Sequence, residues 1–144
     1  MARFEIEGID DLNNALHELG QPPDEIKAEA LTKMAQVAAG KIKSQGEAMG
    51  VRDPESDVHV LDTIKTNKPK LNKNGGICAI TFAGTRPRGR KRVRNAEIAF
   101  INEYGTRKQR ARPFIGMALT QNEQAIVEPG AKILGDWIEK TFEE

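Results

Sequence analysis

The sequence predicts a single α+β domain in which a small antiparallel sheet packs against a long helix in the N-terminal half and a C-terminal helix. Three observations predict it. Between 24 and 45, Ile26, Ala30, Leu31, Met34, Val37, Ala38 and Ile42 recur at three- and four-residue steps, while Lys27, Glu29, Lys33, Gln36 and Lys43 face water. Asn72-Lys73-Asn74-Gly75-Gly76 stands between an extended stretch at 65–70 and an apolar run at 77–82, the pattern of a hairpin. Pro113 is placed as the first residue of a helix that carries Phe114, Met117, Ala118 and Leu119.

The remaining elements follow in order. Residues 2–7 alternate, with Phe4 and Ile6 on one face, as a half-buried strand does. Ile9, Leu12, Leu16 and Leu19 then suit a short helix, stopped by Gly20 and Pro22-Pro23. After the long helix, Gly46 and Gly50 loosen the backbone and 51–54 reads as loop. Val58, Leu61 and Ile64 suggest a short helical turn leading into the extended stretch. Residues 77–82 form one strand, with Cys78 expected as a small buried hydrophobe. Residues 84–95 read as a loop, because Gly84, Pro87 and Gly89 disfavour regular structure and closely spaced like charges repel. The run 96–104 alternates well enough for a last strand, ended by Gly105. Pro129 is expected to interrupt the final helical region, after which Ile133, Leu134, Trp137 and Ile138 form a last amphipathic set.

The chain of 144 residues is 38% hydrophobic and 5% aromatic, enough for one core built mainly from aliphatic side chains. Its net charge of +1 conceals a segregation. Residues 1–60 carry 6 basic and 12 acidic side chains, 61–115 carry 14 and 3, and 116–144 carry 2 and 6. A basic middle lies between two acidic ends.

Enzyme chemistry finds no support. The sequence has no P-loop, HExxH, nucleophile elbow or CxxC pair, and one cysteine makes neither a disulfide nor a metal site. Glu97 and Glu103 flank the run 96–104, but two carboxylates without a third ligand are a weak metal signal. No catalytic residue, metal or cofactor is expected. No stretch approaches the length of a membrane span, and the opening residues lack an apolar signal core, so a cytoplasmic chain is expected.

The basic middle is the candidate binding region. Arg86, Arg88, Arg90, Lys91, Arg92 and Arg94 form one cluster, and Arg107, Lys108, Arg110 and Arg112 a second. Three readings stand: phosphate clamps on nucleic acid, without base specificity, bidentate docking on an acidic protein surface, or a solvated loop with no particular partner. In each, the loop 84–95 is expected to be flexible in the free protein. No basic recognition helix or aromatic stacking strand accompanies it.

Glu103-Tyr104-Gly105-Thr106, a short basic connector, and Ala111-Arg112-Pro113-Phe114 opening a helix resemble the hallmark of a known family. It is the family of small tail-component or head–tail joining proteins of long-tailed double-stranded DNA phages and prophages. Ile6-Glu7-Gly8-Ile9-Asp10-Asp11-Leu12, the long helix and Leu61-Asp62-Thr63-Ile64-Lys65 fit the same layout, so the resemblance spans nearly the whole chain as one joining domain. Only 103–119 is specific. The arginine-rich segment 86–94 and Pro129 depart from the pattern.

The resemblance implies a non-enzymatic virion assembly protein at the head–tail junction or tail, made in the host cytoplasm. It implies a homo-oligomeric ring in the virion, with a monomer left open for the isolated chain, that contacts connector, head-closure and tail proteins, with at most nonspecific contact to genomic DNA and none to membrane. Glu103, Tyr104, Gly105, Thr106, Pro113 and Phe114 are then expected mainly to make the fold. Gly105 suits a turn with positive φ, Pro113 pre-sets the helix start, and Phe114 packs back on the strand before it.

Overall fold

A computed structural model describes residues 22–51, 59–72 and 75–143. The expected strand at 2–7 and helix at 9–19 lie outside the described residues. The rest is α+β, as the sequence predicts: four helices and three two-stranded antiparallel pairings.

Helix α1 (Asp24–Ala48) begins after Pro23, whose carbonyl accepts the amides of Ile26 and Lys27. Asp24 and Glu25 in its first turn complement the positive end of the helix dipole. The helix runs three residues past the expected stop and closes on Gly50, at φ +73. Gly50 N–H donates to Glu47 O and Val51 N–H to Gly46 O, the paired bonds of a Schellman ending, which buries Val51 completely. Gly46 is therefore helical, and its missing Cβ makes room for Leu61, whose Cδ2 would lie 2.5 Å from one.

A 3-10 turn (Val60–Thr63) buries Val60 and Leu61 and leads into β1 (Ile64–Thr66). Strands β2 (Lys70–Asn72) and β3 (Gly75–Ile77) pair across the expected turn, and β4 (Ile80–Phe82) returns against β1. Asn67 N–H donates to Ala79 O between the two pairings, so they form one ribbon along α1. The expected strand 77–82 is thus broken at 78–79. Three residues, 67–69, stand there opposite two, and the slip re-aims the chain as a bulge does. Ile77 is left exposed and Cys78 is half-buried, its thiol donating to Asn67 O, rather than buried as expected.

Two larger corrections follow. Residues 84–95 are not an irregular loop: β5 (Thr85–Arg88) pairs with β6 (Lys91–Arg94) across the two-residue turn Gly89-Arg90. Gly89 supplies φ +63 at the first central position, which a two-residue hairpin of this kind requires. The run 96–104 is not a strand but helix α2 (Asn95–Tyr104). Its inward side chains, Asn95, Ile98, Ala99 and Asn102, recur at helical spacing, whereas Phe100 turns outward.

Helix α3 (Phe114–Gln121) and helix α4 (Glu123–Glu143) meet at Asn122, whose φ of −121 marks the break. The expected interruption at Pro129 does not occur: Pro129 lies inside α4, and the break falls seven residues earlier. The lost amide bond is offset by packing on α1, where Gly130 faces Met34 so closely that a Cβ would lie 2.4 Å from its sulfur. The core gathers Ile42, Val51, Val60, Leu61, Ala99, Phe114 and Ala118, with Ile64, Ile80, Phe82 and Ile98 around them.

Candidate interaction surface

Of the residues that carry the resemblance, Glu103, Gly105, Thr106, Pro113 and Phe114 form one joint between α2 and α3, whereas Tyr104, expected mainly to make the fold, is exposed and stands outside it. Glu103, in the last turn of α2, turns its carboxylate onto the start of α3. Its Oε2 accepts the amide of Ile115 at 2.8 Å and its Oε1 that of Gly116 at 3.0 Å. A negative charge there satisfies two amides that have no partner inside the helix and complements the helix dipole. Pro113, at φ −75 and ψ 62, makes an inverse γ-turn in which Phe114 N–H donates to Arg112 O. Phe114 is fully buried and meets Phe82 edge to face at 6.1 Å. It thus packs on β4 rather than on a strand at 96–104, and fixes α3 against the ribbon.

The connector between them is held at each bend. Gly105 takes φ 75 and ψ 178, a region open only to glycine, and a Cβ there would lie 2.7 Å from Ala111 N. Thr106 Oγ1 accepts the amides of Lys108 and Gln109, and Thr106 N–H donates to Gln109 O. Gln109 Nε2 donates to Asn102 Oδ1, and Arg112 N–H to Asn102 O. Asn102 and Gln109 are positions that sequence reasoning missed, because an amide in an apolar run gives no signal of its partner.

The basic hairpin is anchored by an equally silent residue. Asn95 is buried; its Nδ2 donates to Ala83 O and its Oδ1 accepts from Arg86 Nε at 2.8 Å. Its own amide donates to Gly84 O, closing the base of the hairpin. Arg86 is therefore a buried structural side chain and not part of a binding surface, which corrects the expectation for that residue. Arg112 is also engaged: it is half-buried and its Nη1 donates to Gly50 O at 2.9 Å.

The other eight predicted cations are exposed. Arg88, Arg90, Lys91, Arg92 and Arg94 line the hairpin, with Arg92 also donating to Thr85 Oγ1. Arg107, Lys108 and Arg110 lie on the connector. The two segments bracket α2, about 15 Å long at 1.5 Å per residue. Between them Phe100 and Tyr104 stand out from the helix, 62% and 68% exposed, with ring centroids 4.6 Å apart. Glu97 shares that outer face, well removed in role from Glu103.

Among the described residues, no three His, Cys, Asp or Glu side chains are grouped to hold a metal ion. Nor is any described helix long and apolar enough to cross a membrane. What the arrangement offers is a surface: exposed cations at both ends of a helix and an aromatic pair between them. In comparisons with known proteins, the chain matches no family model, no curated protein and no solved structure.

Proposed function

We propose that this chain is a virion assembly protein that joins phage head to tail as a ring subunit, working through protein–protein contacts. The observation that carries the reading is the joint at 103–116. Apart from Tyr104, the residues by which the sequence resembles the tail-component family bind one another, Glu103 to the start of α3 and Phe114 to the core. A signature of this kind defines a scaffold, and chemistry is not what it serves. The surface beyond the scaffold, aromatic and basic, has the composition of a protein docking face, where aromatics and arginine are enriched.

The test is genetic and structural. With the gene deleted in an inducible lysogen, filled heads and finished tails should accumulate unjoined, and the chain supplied in trans should restore particles that contain it. Intact infectious particles from the deletion would overturn the reading.

The eight exposed cations favour one competing reading, nonspecific nucleic-acid binding. If the five on the hairpin each met a phosphate, affinity for duplex DNA would fall with a log–log salt slope of about −4 to −5. A salt series on wild type and on a chain altered at Arg88, Arg90, Lys91 and Arg92 separates the two. Tight, steeply salt-dependent binding that the altered chain loses would put nucleic acid first.

A further inference from the structure

Two surfaces remain that the packing of the described residues does not use. The first is the outer face of α2, with the neighbouring, mutually tilted rings of Phe100 and Tyr104 and the exposed Arg107, Lys108 and Arg110 beside its C-terminal end. The second is on α4. At 100° per residue, Val127, Ala131, Leu134, Ile138 and Phe142 fall on one stripe less than a quarter of the helix circumference wide. The adjoining stripe, with Gly130 against Met34, is the one turned to α1. Val127, Ile138 and Phe142 are 49%, 36% and 66% exposed, which is unusual for an apolar row on a free helix. Exposed Glu128, Glu139 and Glu143 border it on the outer side, with one cation, Lys132, among them.

We infer that these two faces are the two halves of one head-to-tail interface, and that the occupant of each is a second copy of this chain. The inference deepens the ring reading and rests on it. The aromatic pair of α2 seats on the apolar stripe of α4 in the next copy, and the connector cations meet the acidic border.

Charge decides the occupant. Residues 84–112 carry ten basic and two acidic side chains, and α4 carries five acidic and two basic. Like faces therefore repel, so a symmetric pairing of α2 with α2 or α4 with α4 is disfavoured. Unlike faces attract, which is the condition for a heterologous contact that repeats from copy to copy. Within one copy the halves are not packing partners: α2 rests on the 3-10 turn, β4 and α3, whereas α4 runs along α1. Among the described residues, neither face is covered by another element.

The experiment uses full-length chains with one face removed from each. F100D/Y104D lacks the α2 face and I138D/F142D lacks the α4 face; all four positions are exposed, and circular dichroism checks that both chains stay folded. By sedimentation, wild type should self-associate beyond a dimer, and each variant alone should be monomeric. An equal mixture should form a one-to-one dimer and nothing larger, because only one pair of complementary faces survives.

A wild type that stays monomeric to about 1 mM would overturn the interface. So would self-association of either variant like wild type, or a mixture that forms no dimer. Should either variant unfold, R107E/K108E and E128K/E139K serve instead: each should weaken association at least tenfold, and their mixture should recover it. No recovery overturns the pairing. If the dimer forms but the gene deletion still yields joined particles, the assembly reading fails and the interface stands. If F100D/Y104D is incorporated into particles as well as wild type, the reverse holds.

Discussion

The hairpin at 85–94 and the connector at 105–112 look alike in sequence, each a short run dense in arginine, yet they are built on different principles. The hairpin makes its own backbone bonds, strand to strand, and needs the rest of the chain only at its base, through Asn95 and Arg86. The connector has no regular structure and is held by others: Asn102 takes Gln109 and the main chain of Arg112, and the end of α1 takes the Arg112 guanidinium. The difference teaches that a charge run describes composition and says little about order. Whether cations reach solvent depends on which backbone satisfies itself and which must be satisfied from outside.

Substitutions can break this contrast, and their effects should descend in size. Phe114→Ala removes the side chain on which the connector ends and should cost about 3–5 kcal/mol, read as a lower urea midpoint. Gly105→Ala forces a Cβ into a glycine-only conformation against the Ala111 backbone and should cost about 2–3 kcal/mol. It should also open 107–112 to trypsin while the hairpin stays protected. Asn95→Ala has the opposite locality: about 1–3 kcal/mol in the same urea titration, with protection lost at the hairpin and kept at the connector. Glu103→Gln keeps one acceptor and loses the charge, for about 1–2 kcal/mol in thermal unfolding. Arg90→Gln, at the hairpin tip, should change stability by less than about 0.5 kcal/mol. A large loss there would mean that the hairpin is not self-sufficient.

The same contrast explains what was legible in the sequence. The α+β class, the long helix, the hairpin across 72–76 and the positive φ of Gly105 were all readable, because each rests on local periodicity or a glycine requirement. The run 96–104 was misread because nine residues with apolar side chains at 98, 99, 100 and 101 satisfy both periods. Only the surroundings decide, and Ala99 fits beneath the core where Phe100 would not. In segment 84–95 the repulsion among cations is visible in the sequence, whereas the backbone pairing that outweighs it is not. Arg86 shows the limit most clearly. Nothing in an arginine's neighbours along the chain says that an asparagine nine residues on will draw it inside.

The bond from Arg112 to Gly50 spans 62 residues of chain and has a mechanical consequence. Arg112 is gripped twice, by its main chain on Asn102 of α2 and by its guanidinium at the end of α1. A pull on the exposed cations of the connector is therefore divided between two helices that meet the core from different sides. Tension that would peel a free loop from the surface must here load both of those bonds at once.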